Sequence, residues 1–244
     1  MTTVYITLPN KDRSVLPNQR GTNNFTVKLA ETIAFPGGEW ECFLVNATIP
    51  YTWTNISERN NTLIISGASK SYEKRLKPGN YDSVDALLTA IRTLINDSSV
   101  SITVNATTMR TSVSLNREKT IQGSLLEILG FPSDIQLQGG VSHESPELVD
   151  ITGGVNSLLV YLSIIQNTYV GSYRVQLLDT IPIENAIPGD IINYSVTGPD
   201  YQGHRLNTRS FQNIEVDIRD TLGRSIDFNN YSLELKIGFR QTRN

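Results

Sequence analysis

Apolar residues at every second position, in short runs spread along the whole chain, constrain this sequence most. Period two sends alternate side chains to opposite faces of an extended strand, so each such run has to bury one face against a second layer. Phe25, Val27 and Leu29 share one face, with Thr26 and Lys28 on the other. Tyr173, Val175 and Leu177 alternate with Arg174 and Gln176, and Ile214, Val216 and Ile218 oppose Glu215, Asp217 and Arg219. Near the end Leu233, Leu235, Ile237 and Phe239 point one way, while Glu234, Lys236 and Arg240 point the other. Two runs, Trp40 to Val45 and Ser157 to Ile165, are apolar on both faces, the pattern of central strands. Turn-forming residues separate the runs at Pro36-Gly37-Gly38, Gly153-Gly154, Pro188-Gly189-Asp190, Gly198-Pro199 and Leu222-Gly223. The periodicity predicts strands near 24–29, 39–49, 157–166, 172–181, 190–196, 212–219 and 231–240, packed as two antiparallel sheets. The expected fold class is an all-β sandwich.

One stretch breaks the alternation. Val84, Leu87, Leu88, Ile91 and Ile95 recur at helical spacing over about 83–96, behind Asp82 as the expected N-cap and with Asp85 in the first turn. Strand-like Leu63-Ile64-Ile65 and the turn Pro78-Gly79-Asn80 precede it. Two short strands, Ser101–Val104 and Thr111–Leu115, and a single helical turn at Leu125–Leu129 ending on Gly130 follow it. The expected organisation is a sandwich from 1–56 and 141–244, interrupted by a small α+β block at 57–140 whose helix covers a small sheet.

The chain offers little chemistry. It has one cysteine, Cys42, and two histidines, His143 and His204, with no Cys or His neighbour at ligand spacing, so neither a disulfide nor a zinc site is expected. Gly140-Val141-Ser142-His143 lacks the second glycine of a nucleophile elbow and reads as part of a flexible acidic loop. Gly67-Ala68-Ser69-Lys70 lacks the spacing of a phosphate-binding loop, and no dinucleotide fingerprint follows a strand. Asp217 and Asp220 read as a strand residue and a turn residue beside Arg219 and Arg224, not as an acid/base pair. A net charge of -3 argues against coating nucleic acid, and no signal peptide or membrane span is evident, so folding in a reducing cytosol or nucleus is expected. These features point to no enzyme, no metal and no cofactor.

Taken in order, several segments resemble one family, the penton (minor capsid) proteins of Polinton/Maverick elements, adintoviruses and virophages. They are Gly38-Glu39-Trp40-Glu41 leading to Ile49-Pro50-Tyr51-Thr52-Trp53-Thr54-Asn55, then Pro78-Gly79-Asn80-Tyr81-Asp82-Ser83 opening the helix. Ile128-Leu129-Gly130-Phe131, Leu159-Val160-Tyr161 and Val170-Gly171 follow. The longest runs from Phe211-Gln212-Asn213-Ile214-Glu215-Val216-Asp217 through Ile218-Arg219-Asp220-Thr221-Leu222-Gly223-Arg224, before a closing strand through Phe239-Arg240. The resemblance spans roughly 38 to 240, and its specificity lies in the order and spacing of the pieces. It implies a single jelly roll, five copies of which plug an icosahedral vertex among hexameric major capsid proteins of a virion assembled in the host cytoplasm or nucleus. The acidic stretch from Ser133 to Asp150 has no counterpart in the family pattern. A cytosolic β-sandwich binding module, carbohydrate-binding or a host-retained capsid-derived protein, is the alternative.

A five-fold ring needs two unlike flanks. The segment 121–190 carries eight acidic residues against the single base Arg174, while both ends lean basic. The candidate interface therefore pairs acidic positions (Glu144, Glu147, Asp150, Glu184, Asp190) with basic ones (Arg13, Arg20, Arg205, Arg209). Val4-Tyr5-Ile6-Thr7-Leu8 alternates like a strand and fits two roles: an ordinary first strand, or a strand added to a neighbour's sheet edge through Val4, Tyr5, Ile6 and Leu8.

Overall fold

The computed structural model describes residues 3–184, 186–197 and 201–242, which divide into two compact units: 1–53 with 155–244, and 54–154. The expected Gly198-Pro199 turn lies outside the described residues.

Eight longer strands frame the first unit: β1 Thr3–Pro9, β2 Asn24–Ala34, β3 Trp40–Pro50, β4 Ser157–Leu162, β5 Leu177–Pro182, β6 Ile191–Ser195, β7 Ser210–Asp220 and β8 Glu234–Gln241. One sheet has the order β1-β8-β3-β6, and the other β5-β4-β7-β2. Every pairing is antiparallel. The chain crosses between the sheets at almost every step, so sequence neighbours face each other across the core. The two-residue strand His204–Arg205 also pairs with β3 and makes the first sheet five-stranded, and the two sheets face to face form a jelly roll.

Inward side chains of both sheets make one core. Leu8, Cys42, Leu44, Leu235, Ile237 and Phe239 from the first sheet meet Phe25, Val27, Leu158, Val160, Ile214, Val216 and Ile218 from the second. Phe239 lies 5.1 Å from Phe35 and 5.7 Å from Phe211, ring centre to ring centre, closing one end. The two-sided apolar pattern of Trp40 to Val45 has a local cause. Lys236 pairs with Asn46 and Ile237 with Leu44, so β3 carries an extra residue, a bulge, at Val45. The bulge shifts the inward set from Cys42 and Leu44 to Ala47 and Ile49. Phe43, on the outer side, is covered by the Tyr201 ring at 4.6 Å and the Arg240 guanidinium at 5.1 Å.

Asn10 fastens the loop after β1 to the loop before β8. Its buried side chain accepts from the Leu233 N–H at 2.9 Å and donates to the carbonyls of Thr22 and Tyr231, each at 3.3 Å. Gly21, whose N–H donates to the Asn10 carbonyl, holds φ at +77°, and an added Cβ would strike the Asn230 side chain.

The expected strand 172–181 is broken in two. Tyr173–Val175 pairs with Thr168–Val170 as a separate hairpin, and β5 begins only at Leu177. Between them, Gln176 donates its side-chain amide to the carbonyls of Ser163 (2.8 Å) and Ile165 (2.7 Å), which turns the chain from one pairing to the next.

The second unit extends further on both sides than the 57–140 block read from the sequence. Its added C-terminal piece is a strand, Ser142–Leu148, antiparallel to Arg110–Leu115, which pairs in turn with Val100–Val104. His143 therefore sits in a strand and not in a flexible loop. Pro146 and an irregular register between Glu144 and Leu148 hid its alternation. A second sheet runs Ser71–Arg75, Thr62–Ser66, Thr120–Gln122, Gln136–Gln138. The helix Val84–Ile95 buries Leu87, Leu88, Ile91 and Ile95 in this unit's own core. Its N-cap is Ser83, not Asp82: the Ser83 hydroxyl accepts from the Ala86 N–H at 3.2 Å. Ser83 is extended, as an N-cap must be, and three residues before Ala86 its oxygen reaches the free N–H groups.

Asn55 joins two segments that resemble the penton family. Its amide donates to the carbonyls of Tyr81 (2.8 Å) and Ile151 (2.7 Å), and its oxygen accepts from the Tyr81 N–H at 3.0 Å. The Asn80 side chain accepts from the Asn55 N–H in return, at 3.2 Å. Replacing Asn55 by Ala strands three backbone groups in a buried site and should destabilise the second unit by about 2–4 kcal/mol, measured by urea unfolding.

Candidate assembly surface

Of the nine charged positions proposed from the sequence, Arg205, Arg209, Glu184 and Asp190 sort to opposite ends of β3, whereas Glu144, Glu147 and Asp150 belong to the second unit and Arg13 and Arg20 to the loop between β1 and β2. Arg205 pairs with Glu41 in the β ladder beside the start of that strand, and Arg209 accepts the Phe35 N–H nearby. Asp190 meets the other end, where its carbonyl takes the Tyr51 N–H, and Glu184 lies between β5 and β6. With 11 residues in β3, the basic and acidic groups stand roughly 33 Å apart along the sandwich.

Two of the four are already engaged within the chain. Arg205 forms an ion pair with Glu39 at 3.1 Å, and the Asp190 carboxylate accepts from the Ile187 N–H at 2.9 Å, stabilising the turn into β6. Arg209 and Glu184 are exposed and have no ion pair among the described residues.

The N-terminal segment is the first strand of its own sheet, paired with β8 from Thr3 opposite Arg240 to Pro9 opposite Glu234. Leu8 is fully buried, and Val4 and Ile6 pack against the same core. Of the four apolar candidates only Tyr5 turns its side chain outward, 54% exposed, with the Lys236 ammonium 5.2 Å from its ring centre. Among the described residues, nothing pairs with the strand's outer backbone edge.

Sequence reasoning missed an open cleft of about 740 Å³ on the outer side of the second sheet. Tyr161, Glu215, Asp217 and Arg219 form its floor, and the hairpin residues Tyr173 and Arg174 one wall. Arg219 is paired with Asp217 at 2.7 Å. Nearby, Asp220 accepts from the N–H groups of Leu222 (2.9 Å) and Arg224 (2.8 Å) and pairs with the Arg224 guanidinium at 2.5 Å. Both aspartates therefore serve the strand and its turn. The separate contribution of Leu159 to this cleft shows why Ser157 to Ile165 looked apolar on both faces.

The strongest group of titratable residues in the sandwich is Asp179, Tyr194 and His204. The Tyr194 hydroxyl donates to Asp179 at 3.4 Å. Burial pushes the Asp179 carboxyl above the usual carboxylate range and the His204 imidazole below its ordinary value, with the nearby Asp179 charge opposing the latter shift. Among the described residues His204 Nε2 is buried with no hydrogen-bond partner, so no described hydroxyl or thiol lies within hydrogen-bond reach of it. In the second unit, Asp97 is held well below the carboxylate range by the Lys119 ammonium and by Ser99, a structural ion pair beside Tyr72. Among the described residues no three His, Cys, Asp or Glu side chains gather as metal ligands.

The buried imidazole gives the sandwich a pH dependence with a definite sign. A folded-state value below the unfolded one, near 6.5, means that the unfolded chain binds the proton first. His204's contribution is complete above about pH 6.5 and is lost as pH falls through its lower folded value. Asp179 acts in the opposite sense at lower pH, because its raised value lets the folded state take up a proton first. Chemical unfolding between pH 7.5 and 5.5 should show stability falling with acid, and His204→Gln should flatten that slope.

No protein-family model matches the chain, and no curated protein matches it. Among solved structures, the mavirus penton protein matches 99% of this chain with all of its own, at a TM-score of 0.55 and 9% sequence identity. A chain of the Sputnik virophage, solved by cryo-EM, covers 98% of each at 12% identity and a TM-score of 0.48. The fold assignment rests on the first of these, and at such identity what is shared is the arrangement of strands. The chain has the jelly-roll fold of the mavirus penton protein, and that is the family its ordered motifs resemble.

Proposed function

We propose that this chain is a structural protein of an icosahedral capsid: a penton, or minor capsid protein, that assembles as a homopentamer at the vertices, among hexamers of a major capsid protein. The observation that carries this reading is the end-to-end match of both chains to a single jelly roll of the penton kind. The motifs quoted from the sequence support it independently, since Phe211 to Arg224 forms β7 and its closing turn and Asn55 joins two others. The role would be mechanical. A jelly roll supplies a rigid block whose flanks meet other blocks, with the virion as its place of residence.

Cyclic assembly with five copies uses a heterologous contact, one flank against an unlike flank. Separation of Arg205 and Arg209 from Glu184 and Asp190 along β3 supplies unlike ends, and the two unpaired members, Arg209 and Glu184, are the ones free to reach a neighbour. Exposed pairs of this kind contribute less than about 1 kcal/mol each and are screened within about 8 Å at physiological ionic strength. Native mass spectrometry and sedimentation across a salt series should find a species five times the 27.1 kDa chain at low salt, weakening as salt rises. Arg209→Glu should weaken it about as much as high salt does, and Arg209→Glu with Glu184→Arg should recover it in part. A chain that remains monomeric at every salt concentration, even with major capsid protein present, refutes the vertex role.

The cleft beneath the hairpin favours a second reading, a β-sandwich binding module, because 740 Å³ lies within the usual range for small-ligand sites and the aromatic residues Tyr161 and Tyr173 line it. That reading requires saccharide binding by the monomer, lost in Tyr161→Ala, measured on a glycan array.

A further inference from the structure

The outer strands of the two sheets, β1 and β6 in the first and β2 and β5 in the second, are not treated alike. Both edges of the second sheet are guarded. Along β2, the preceding loop lies against the strand: the Lys28 N–H donates to the Ser14 carbonyl and the Thr26 N–H to the Gln19 side chain, each at 2.8 Å. The same strand carries Lys28 and Glu31. Along β5, Asp179 takes the Thr180 N–H at 2.8 Å, a register shift falls opposite Val160 and Tyr161, and Pro182 ends the strand. Charge, a bulge, proline and a covering loop are the devices by which proteins keep an edge from pairing with another chain.

The first sheet has no charge, bulge or covering loop along β1 or β6, although Pro9 ends β1 as Pro182 ends β5. β1, Thr3–Pro9, contains no charged residue and pairs with β8 in unbroken register. β6, Ile191–Ser195, is also uncharged and pairs without a break from Ile191 opposite Pro50 to Ser195 opposite Asn46. Among the described residues no hydrogen bond reaches the outer backbone edge of either strand. Each bears an exposed apolar side chain, Tyr5 at 54% and Ile191 at 61%.

The two bare edges also fit each other in direction. Strand polarity reverses at each step of β1-β8-β3-β6, so β1 and β6 run oppositely. Setting β1 of one copy beside β6 of another therefore continues the antiparallel alternation, and the five residues of β6 fall within the length of the seven in β1. We propose that the partner of these edges is a second copy of this chain, β1 of one copy adding to β6 of the next so that the first sheet runs on from subunit to subunit. This rests on the capsid reading above and places its contact along the sheet edges and not at the Arg209 and Glu184 ends of β3. The edge variants and the Arg209/Glu184 charge swap therefore tell the two contacts apart. A single head-to-tail contact satisfies both edges at once, whereas β1 against β1 would leave β6 bare. Backbone hydrogen bonds provide the contact, and Tyr5 and Ile191 flank it as an aromatic and a β-branched side chain, a pairing that sheets favour.

Hydrogen exchange of the full chain, compared between dilute monomer and concentrated oligomer, tests the arrangement. Peptides over 3–9 and 191–195 should gain protection on assembly, and those over 24–34 and 177–182 should not. Thr7→Lys and Asn193→Lys put a charge at exposed positions on each bare edge, and each should weaken assembly at least tenfold while leaving monomer unfolding unchanged. Paired variants combining Tyr5→Cys or Thr7→Cys with Ile191→Cys or Asn193→Cys should give disulfide-linked ladders on oxidation, with the native Cys42 buried in the core. An oligomer whose two edges still exchange at the monomer rate, or lysine variants that assemble like the parent, would overturn the edge contact and leave the vertex role standing. Crosslinks between β1 and β1 would overturn it in favour of a two-fold pair. A chain monomeric under all conditions would overturn both.

Discussion

Everything in the sandwich depends on where β7 and β8 are placed. In one sheet β8 lies between β1 and β3, and in the other β7 lies between β4 and β2. Remove those two strands and each sheet falls into separated pieces. Phe239 and Ile237, with Ile214, Val216 and Ile218, are also fully buried in the core between the sheets, so pairing and burial converge on the same stretch. The Asn10 side chain, bonded to Leu233 and Tyr231, secures this arrangement from the opposite end of the sequence.

Much of the architecture is legible in the residues because most strands have one wet face. The alternation in 24–29, 212–219 and 231–240 is a direct record of that exposure. The pattern fails where a second cause acts on the same stretch. Trp40 to Val45 looks apolar on both sides partly because a bulge changes which parity points inward, and a bulge leaves no mark in composition. Ser142–Leu148 looks like a loop because Pro146 and its acidic residues occupy a strand with an irregular ladder. Asp82 and Ser83 are both good N-caps by type, and only backbone geometry chooses Ser83.

The candidate assembly surface is legible only in part. Charge asymmetry along the chain is visible in the letters, but not that Arg205 is occupied by Glu39 or that the Asp190 carboxylate holds its own turn. The absence of charge in Val4 to Leu8 is equally plain, yet its meaning depends on β1 being the outermost strand of its sheet. The cleft under Tyr173 and Arg174 left no signal at all, since it needs a separate hairpin where the sequence suggested one continuous strand.

The placement of β7 and β8 also orders events in time. Residues 54–154 are contiguous and carry their own core, so they can fold as soon as they leave the ribosome. The jelly roll cannot, because the strands that complete both of its sheets are synthesised after the strands they join. Until then β1 and β3 wait on one side and β2 and β4 on the other, each lacking its central neighbour. During that interval the unfinished sandwich exposes apolar strands that would find partners in other nascent chains, while the Asn55–Ile151 hydrogen bond of the early-folding block already holds that block's two chain ends together.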